Sequence, residues 1–256
     1  MNPARPLLDW LTGWARAVRF AGLALAAAMS PSAYRAATRD VALKQIYFTA
    51  WQILPGFTLF TTLFSLVVIE ISVSAARGFG LAQHALELVM RALVLEVIPL
   101  VTALFVALRS GAAIATEIAL MKAAGELDRM QAAREDPLER EFVPRVAAAA
   151  LSVFSLTVVS CAIALALAYA AMYGMSPHGL AEFTRVVALV FGPAALGGFV
   201  LKCLVFGCLV AVIPIAAGLH ASPRLKSVPV VVLDGMVRLF FALGAVEVLA
   251  LAVKYV

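Results

Sequence analysis

Five long apolar runs dominate this chain, at about 46–76, 86–108, 146–173, 185–218 and 228–253, the second and fourth interrupted by charges. About 20 predominantly apolar residues suffice for a helix to cross a bilayer, and each run reaches that length. A backbone in hydrocarbon must satisfy its own hydrogen bonds, which leaves only helices or closed barrels. The runs show no period-two alternation, so a barrel is excluded and five helical spans are expected. Composition agrees: 64% of the 256 residues are apolar and 14% charged, against about 45–50% and about 25% in a soluble domain. An ordinary water-soluble enzyme is thereby excluded, and no length remains for a large soluble domain. Pro55, Pro99, Pro193 and Pro214 fall inside the runs, where kinks rather than breaks are expected. Cys161, Cys203 and Cys208 all lie in apolar stretches, as packing residues with neither a disulfide framework nor metal-ligand spacing.

The scarce charge sets the topology. Arg5, Arg16, Arg19, Arg35, Arg39 and Lys44 precede the first run, and Arg109, Lys122, Arg129, Arg134, Arg140 and Arg145 lie between the second and third. Arg224 and Lys226 separate the fourth and fifth, so most of the 20 basic residues fall on one side. By the positive-inside rule the amino terminus is expected in the cytoplasm and the carboxy terminus outside. The basic balance is topological and gives no reason to expect a nucleic-acid partner. Within residues 1–44, Leu7, Leu11, Trp14, Val18 and Ala21 recur at helical spacing, which predicts an amphipathic helix in the headgroup plane.

The segment 109–145 is too polar to span and too patterned to be a linker. Ile114, Ile118, Met121 and Gly125 share one helical face, with Glu117, Glu126, Asp128 and Arg129 around it. Asp136-Pro137 is expected to stop that helix. Such a cytoplasmic helix suits the docking of a soluble motor, or is a solvated loop helix; composition leaves both readings open.

Leu95-Glu96-Val97-Ile98-Pro99-Leu100, followed by Arg109-Ser110-Gly111-Ala112-Ala113-Ile114-Ala115-Thr116-Glu117-Ile118-Ala119-Leu120-Met121-Lys122, resembles the signature of the MlaE/YrbE permeases. Asp136-Pro137 and Val143-Pro144-Arg145 are similar to further elements of that family. The likeness is dense over 95–145 and looser but collinear over 45–253. The chain departs from the family at Ala124-Gly125-Glu126-Leu127-Asp128-Arg129-Met130, where Thr-Glu-Gln-Ile-Asp-Ala-Leu is common, and at Arg134, where Gly is usual. It also has Ala195 where an acid commonly stands seven residues before Lys202. The resemblance implies an all-α membrane protein: one permease domain over 1–256, with an interfacial helix in 1–44 and a five-span bundle in 45–256. It further implies the permease of an ABC-type system moving phospholipid between the bacterial inner membrane and a periplasmic MCE-domain protein. A second permease copy in a homodimer and a separate cytoplasmic ABC ATPase are expected with it. Glu117, Glu126, Asp128, Arg129 and Asp136 are the expected ATPase-coupling residues.

An ionisable residue at bilayer depth costs a few kcal/mol, so each needs a partner, an aqueous cavity or a function. Glu87 with Arg91, and Asp234 with Arg238, are four residues apart and can neutralise each other. Glu70 and Glu247 are further ionisable residues within the runs, and Glu96 and Lys202, well inside them, have no such local partner. Glu96 can hold an amine and Lys202 a phosphate, or the two can pair while the cavity is empty; the resemblance supports both positions as substrate contacts, and Glu70 is a third candidate.

No Gly-x-x-x-x-Gly-Lys-Ser/Thr motif occurs. The chain is therefore expected to be no enzyme and to carry no cofactor, with ATP and Mg bound in the partner ATPase. His84, His178 and His220 stand at loop or interface positions without ligand spacing, and no metal site is expected. Two other readings stay open. An ion-coupled secondary transporter of an amphipathic substrate would use Glu70 or Glu96 as proton carrier. A non-transporting assembly subunit would need neither Glu96 nor Lys202.

Overall fold

The computed structural model describes residues 12–15, 19–20, 22–23, 43, 47–81, 84–174, 176–221 and 228–255. All of its regular elements are helical, and five of its helices are long and apolar enough to cross a membrane. They are α1 (Leu54–Gly78), α2 (Ala85–Ala123), α4 (Leu138–Tyr173), α6 (Pro193–Leu219) and α7 (Val228–Tyr255). Short helices α3 (Glu126–Ala132) and α5 (Leu180–Val190) lie at opposite ends of the bundle. The amphipathic helix expected within 1–44 falls almost wholly outside the described residues, as do Arg224 and Lys226.

Helix α6 is the hub, packed against α4, α7 and the later part of α2. Small residues allow these approaches. A Cβ on Gly207 would stand 2.4 Å from the Cα of Ala150, and one on Gly218 would stand 2.7 Å from the carbonyl of Ala115. Pro214, inside α6, cannot donate to the Val210 carbonyl. Gly111 of α2 lies against that site, its Cβ position 3.5 Å from the Val210 oxygen. Helices α1 and α7 turn Leu59, Leu63, Leu66 and Ile71, and Val230, Leu233, Phe241 and Leu249, outward. That is the surface a bilayer covers in place of water.

The fold differs from the sequence reading at three boundaries. The second span does not end near residue 108: α2 continues to Ala123 and buries Ile114, Ala115 and Ile118 against the core. The apolar face noted in 109–125 is thus a packing face, and the element that stands free of the spans is only the seven-residue α3. Secondly, Arg185 does not open the fourth span. It lies on α5, which ends before Gly192 takes an extended conformation (ψ 162°) ahead of Pro193, the first residue of α6. A residue before proline disfavours the helical region and proline suits a first helical position, so the break falls there.

Thirdly, Asp136-Pro137 starts a helix instead of stopping one. The Leu138 amide donates to Asp136 Oδ1 at 2.9 Å, at the entry to α4. Helix α3 has already ended, because Arg134 adopts φ 58°. The Arg134 amide donates to Gln131 (3.0 Å) and the Glu135 amide to Met130 (2.9 Å). This is the paired closure of a left-handed C-terminal cap, which glycine ordinarily provides. Glycine does provide it at Gly80 and Gly125, with φ 71° and 69° after α1 and α2.

Candidate functional site

The bundle gathers four charged side chains from three spans into one cluster. Glu96 comes from α2, Lys202 from α6, and Glu247 and Lys254 from α7. The Lys202 ammonium donates to Glu96 Oε2, and to Glu247 Oε1 at 3.0 Å with Oε2 at 2.9 Å. Lys254 Nζ reaches the other oxygen of Glu96 at 2.5 Å. Two carboxylates and two ammoniums give a net charge of zero. Counting helical rise at about 1.5 Å per residue, Glu96, Lys202 and Glu247 each lie roughly 12–16 Å in from the end of the bundle that carries α5. Lys202 is 7% exposed and Glu247 8%, too buried for either charge to be left to water.

Local backbone chemistry explains why Lys202 points where it does. Residues Val89–Val97 form a wide π-type turn, in which the Ile98 amide reaches back five residues to the Leu93 carbonyl. The Val94 carbonyl, which that amide would have served in a regular helix, accepts instead from the thiol of Cys161 at 3.5 Å. One position on, Pro99 has no N–H for the Leu95 carbonyl, and the Lys202 ammonium donates to that oxygen at 3.3 Å. The carboxylate and a carbonyl that Pro99 cannot serve thus hold the same lysine.

Pairing of Glu96 with Lys202, one of the two expectations, is observed. Sequence reasoning places Glu247 among the ionisable residues within the runs but singles out neither it nor Lys254 for the site. Glu70 is not brought to the cluster. It is exposed on the outer face of α1 beside Leu66, Val67 and Ile71 and makes no ion pair among the described residues. The self-neutralising pairs are present: Arg91 Nε to Glu87 Oε1 at 2.8 Å, and Arg238 to Asp234.

At the opposite end, Leu127 is buried and Met130 half-buried, anchoring α3, while Glu126, Asp128 and Arg129 point outward. Asp136 is exposed in the following turn. Glu117 belongs to α2 itself. Its Oε1 accepts from Arg145 Nη2 at 3.0 Å, and Arg145 also binds the carboxylate and the backbone carbonyl (2.8 Å) of Glu141. Lys122 Nζ donates to the Leu219 carbonyl at 2.5 Å, capping α6. Charged side chains therefore tie the last turns of α2, just ahead of α3, to α4 and α6.

The bundle and its buried charges define a multi-pass membrane protein built to hold polar groups in an apolar wall. Residues 42–253 match the family described as permease MlaE, and the chain belongs to that family. A probable ABC transporter permease protein of Rickettsia typhi is 26% identical over 211 residues, which cover 82% of this chain and 79% of that protein. One from Synechocystis is 32% identical over 143 residues, 52% of this chain and 51% of the relative. The intermembrane phospholipid transport system permease protein MlaE of Haemophilus influenzae is 37% identical over 98 residues, 38% of this chain and 35% of that protein. The chain is thus a permease subunit of an ABC-type transport system, whose class works with an ATPase.

Proposed function

We propose that this permease moves phospholipid between the inner membrane and a periplasmic MCE-domain protein, with its amino terminus in the cytoplasm. Two copies enclose the lipid path. Each docks one ATPase through Glu126, Asp128 and Arg129 of α3, with Asp136 at its edge and Glu117 behind it, and that ATPase binds the ATP and Mg. The observation that carries the reading is the neutral cluster of Glu96, Lys202, Glu247 and Lys254 among apolar side chains. A lipid headgroup offers a phosphate and often an amine on an apolar body, and an amphipathic ligand needs a few polar groups in a greasy wall. The phospholipid named for the Haemophilus relative supports the same substrate class.

An ion-coupled carrier asks for a carboxylate free to exchange a proton with water. Glu96 is engaged by two ammoniums instead, and Glu70 lies on the outer face of α1 among Leu66, Val67 and Ile71, away from the bundle's interior. The test is reconstitution of the permease, with a cognate ABC ATPase and a periplasmic MCE-domain protein, in vesicles holding fluorescent phospholipid. ATP-dependent lipid movement that is lost in Glu96→Gln and Lys202→Met is the expected result. Movement driven by a pH gradient without ATP would refute the proposal.

A further inference from the structure

We infer that Arg145 is a positioning residue for energy coupling: its guanidinium clasps α2 to α4 behind α3, so that a push on α3 from the docked ATPase moves the two spans together; this rests on the reading of α3 as the docking helix. Helix α3 has only seven residues and is set between two left-handed positions, Gly125 at φ 69° and Arg134 at φ 58°. Leu127 is buried and Met130 half-buried, so α3 grips the bundle through few side chains of its own. The chain around it is closed by Arg145. Its Nη2 donates to Glu117 Oε1 at 3.0 Å across 28 residues, while Nη1 donates to the Glu141 carboxylate and to the Glu141 carbonyl at 2.8 Å.

The two limbs of the clasp do different work. Glu141 lies one turn before Arg145 in α4 and its side chain is 12% exposed, so this limb neutralises a buried guanidinium within a single helix. The Glu117 side chain is 49% exposed, and an ion pair open to water adds little to stability. What the Glu117 limb supplies is a fixed spacing between the helix that enters α3 and the helix that leaves it. The first of these, α2, also carries Glu96, about 30 Å from Glu117 by helical rise, so a displacement held at this end is passed along the same helix to the charged cluster. A planar guanidinium holds two carboxylates at once in a rigid fork, whereas an ammonium is a single point of charge on a flexible stem. The clasp therefore asks for arginine and is not satisfied by positive charge alone.

The test is the amount of lipid moved per ATP hydrolysed, with both rates read on the same vesicles of permease, cognate ABC ATPase, periplasmic MCE-domain protein and fluorescent phospholipid. Arg145→Lys keeps a cation beside Glu141 but offers one point of charge for two carboxylates. It is expected to hydrolyse ATP within about twofold of the wild type while the lipid moved per ATP falls about tenfold. Glu117→Ala lowers that ratio by a similar factor. Because the two residues act through one contact, Arg145→Lys/Glu117→Ala falls no further than either single variant. A residue serving stability alone would reduce the amount of folded complex, and hydrolysis and lipid movement would fall together with their ratio unchanged. That result, single variants that keep the wild-type ratio, or losses that multiply in the double variant each overturn the inference while the lipid reading stands. Wild-type vesicles that hydrolyse ATP and move no lipid sink the lipid reading and this inference with it.

Discussion

Lys202→Met, alone and combined with Glu247→Met, tests whether the cluster is held as the geometry indicates. Lys202 Nζ lies 2.9 and 3.0 Å from the two oxygens of Glu247. At an effective dielectric of about 20, a single such contact carries roughly 5 kcal/mol of gross attraction. Most of that offsets the desolvation of two ions, so the intact pair contributes little net stability. Removing one partner is different. Lys202→Met leaves the Glu247 carboxylate, whose side chain is 10% exposed, without its ammonium, and an uncompensated buried charge of this kind costs about 3–5 kcal/mol. In Lys202→Met/Glu247→Met both ions are gone, the volume is nearly kept, and Glu96 retains Lys254. The double variant is therefore expected within about 1 kcal/mol of the wild type. The assay is the temperature at which the detergent-solubilised protein loses its monodisperse size-exclusion peak. The single variant should melt roughly 10 °C below the wild type, taking about 2–4 °C per kcal/mol for a chain of this size, and the double variant should recover most of that. If the double variant melts as low as the single, the charge left on Glu247 is not what destabilises the protein and the reasoning fails.

Four further variants have outcomes expected from the structure. Gly207→Val should cost about 1–3 kcal/mol through overpacking, because the added Cβ meets the Ala150 backbone at 2.4 Å and no side chain can step aside; the same melting assay reads it. Arg134→Gly should raise stability by about 1 kcal/mol, since φ 58° at that cap disfavours any residue with a Cβ; an unchanged or lower melting temperature would count against the cap. Arg145→Met should cost about 3 kcal/mol, because it strips the buried partner of Glu141. Glu117→Gln should cost under about 1 kcal/mol, its side chain being 49% exposed, and a reversal of that order would mean Glu117 carries the junction.

Span number was legible in the sequence because it depends only on apolar run length, which local composition records. Span ends were less so, for reasons that can be named. Ile114 and Ile118 give the same helical spacing whether they face a motor protein or α6, and periodicity does not say what covers a face. Phe191-Gly192-Pro193 held the true start of the fourth span, since Gly-Pro breaks a helix from local sterics alone. The apolar α5 before it merged with α6 in any hydropathy average. At Arg134 the left-handed cap was hidden by an arginine standing where glycine signals such a turn.

The cluster shows how far charge arithmetic along a chain can go. The pairs Glu87–Arg91 and Asp234–Arg238 cancel at four-residue spacing, and both are found. Of the other charges within the apolar runs, Glu96, Lys202 and Glu247 meet in the cluster, and Lys254, in the last turn of α7, supplies its second cation. Glu70 stands apart on the outer face of α1. The partners lie 45 to 158 residues apart, and no spacing rule pairs them. The residue that fixes the location is uncharged. Pro99, three positions after Glu96, cannot serve the carbonyl that Lys202 takes, so the signal for the lysine's partner was a missing amide rather than a second acid.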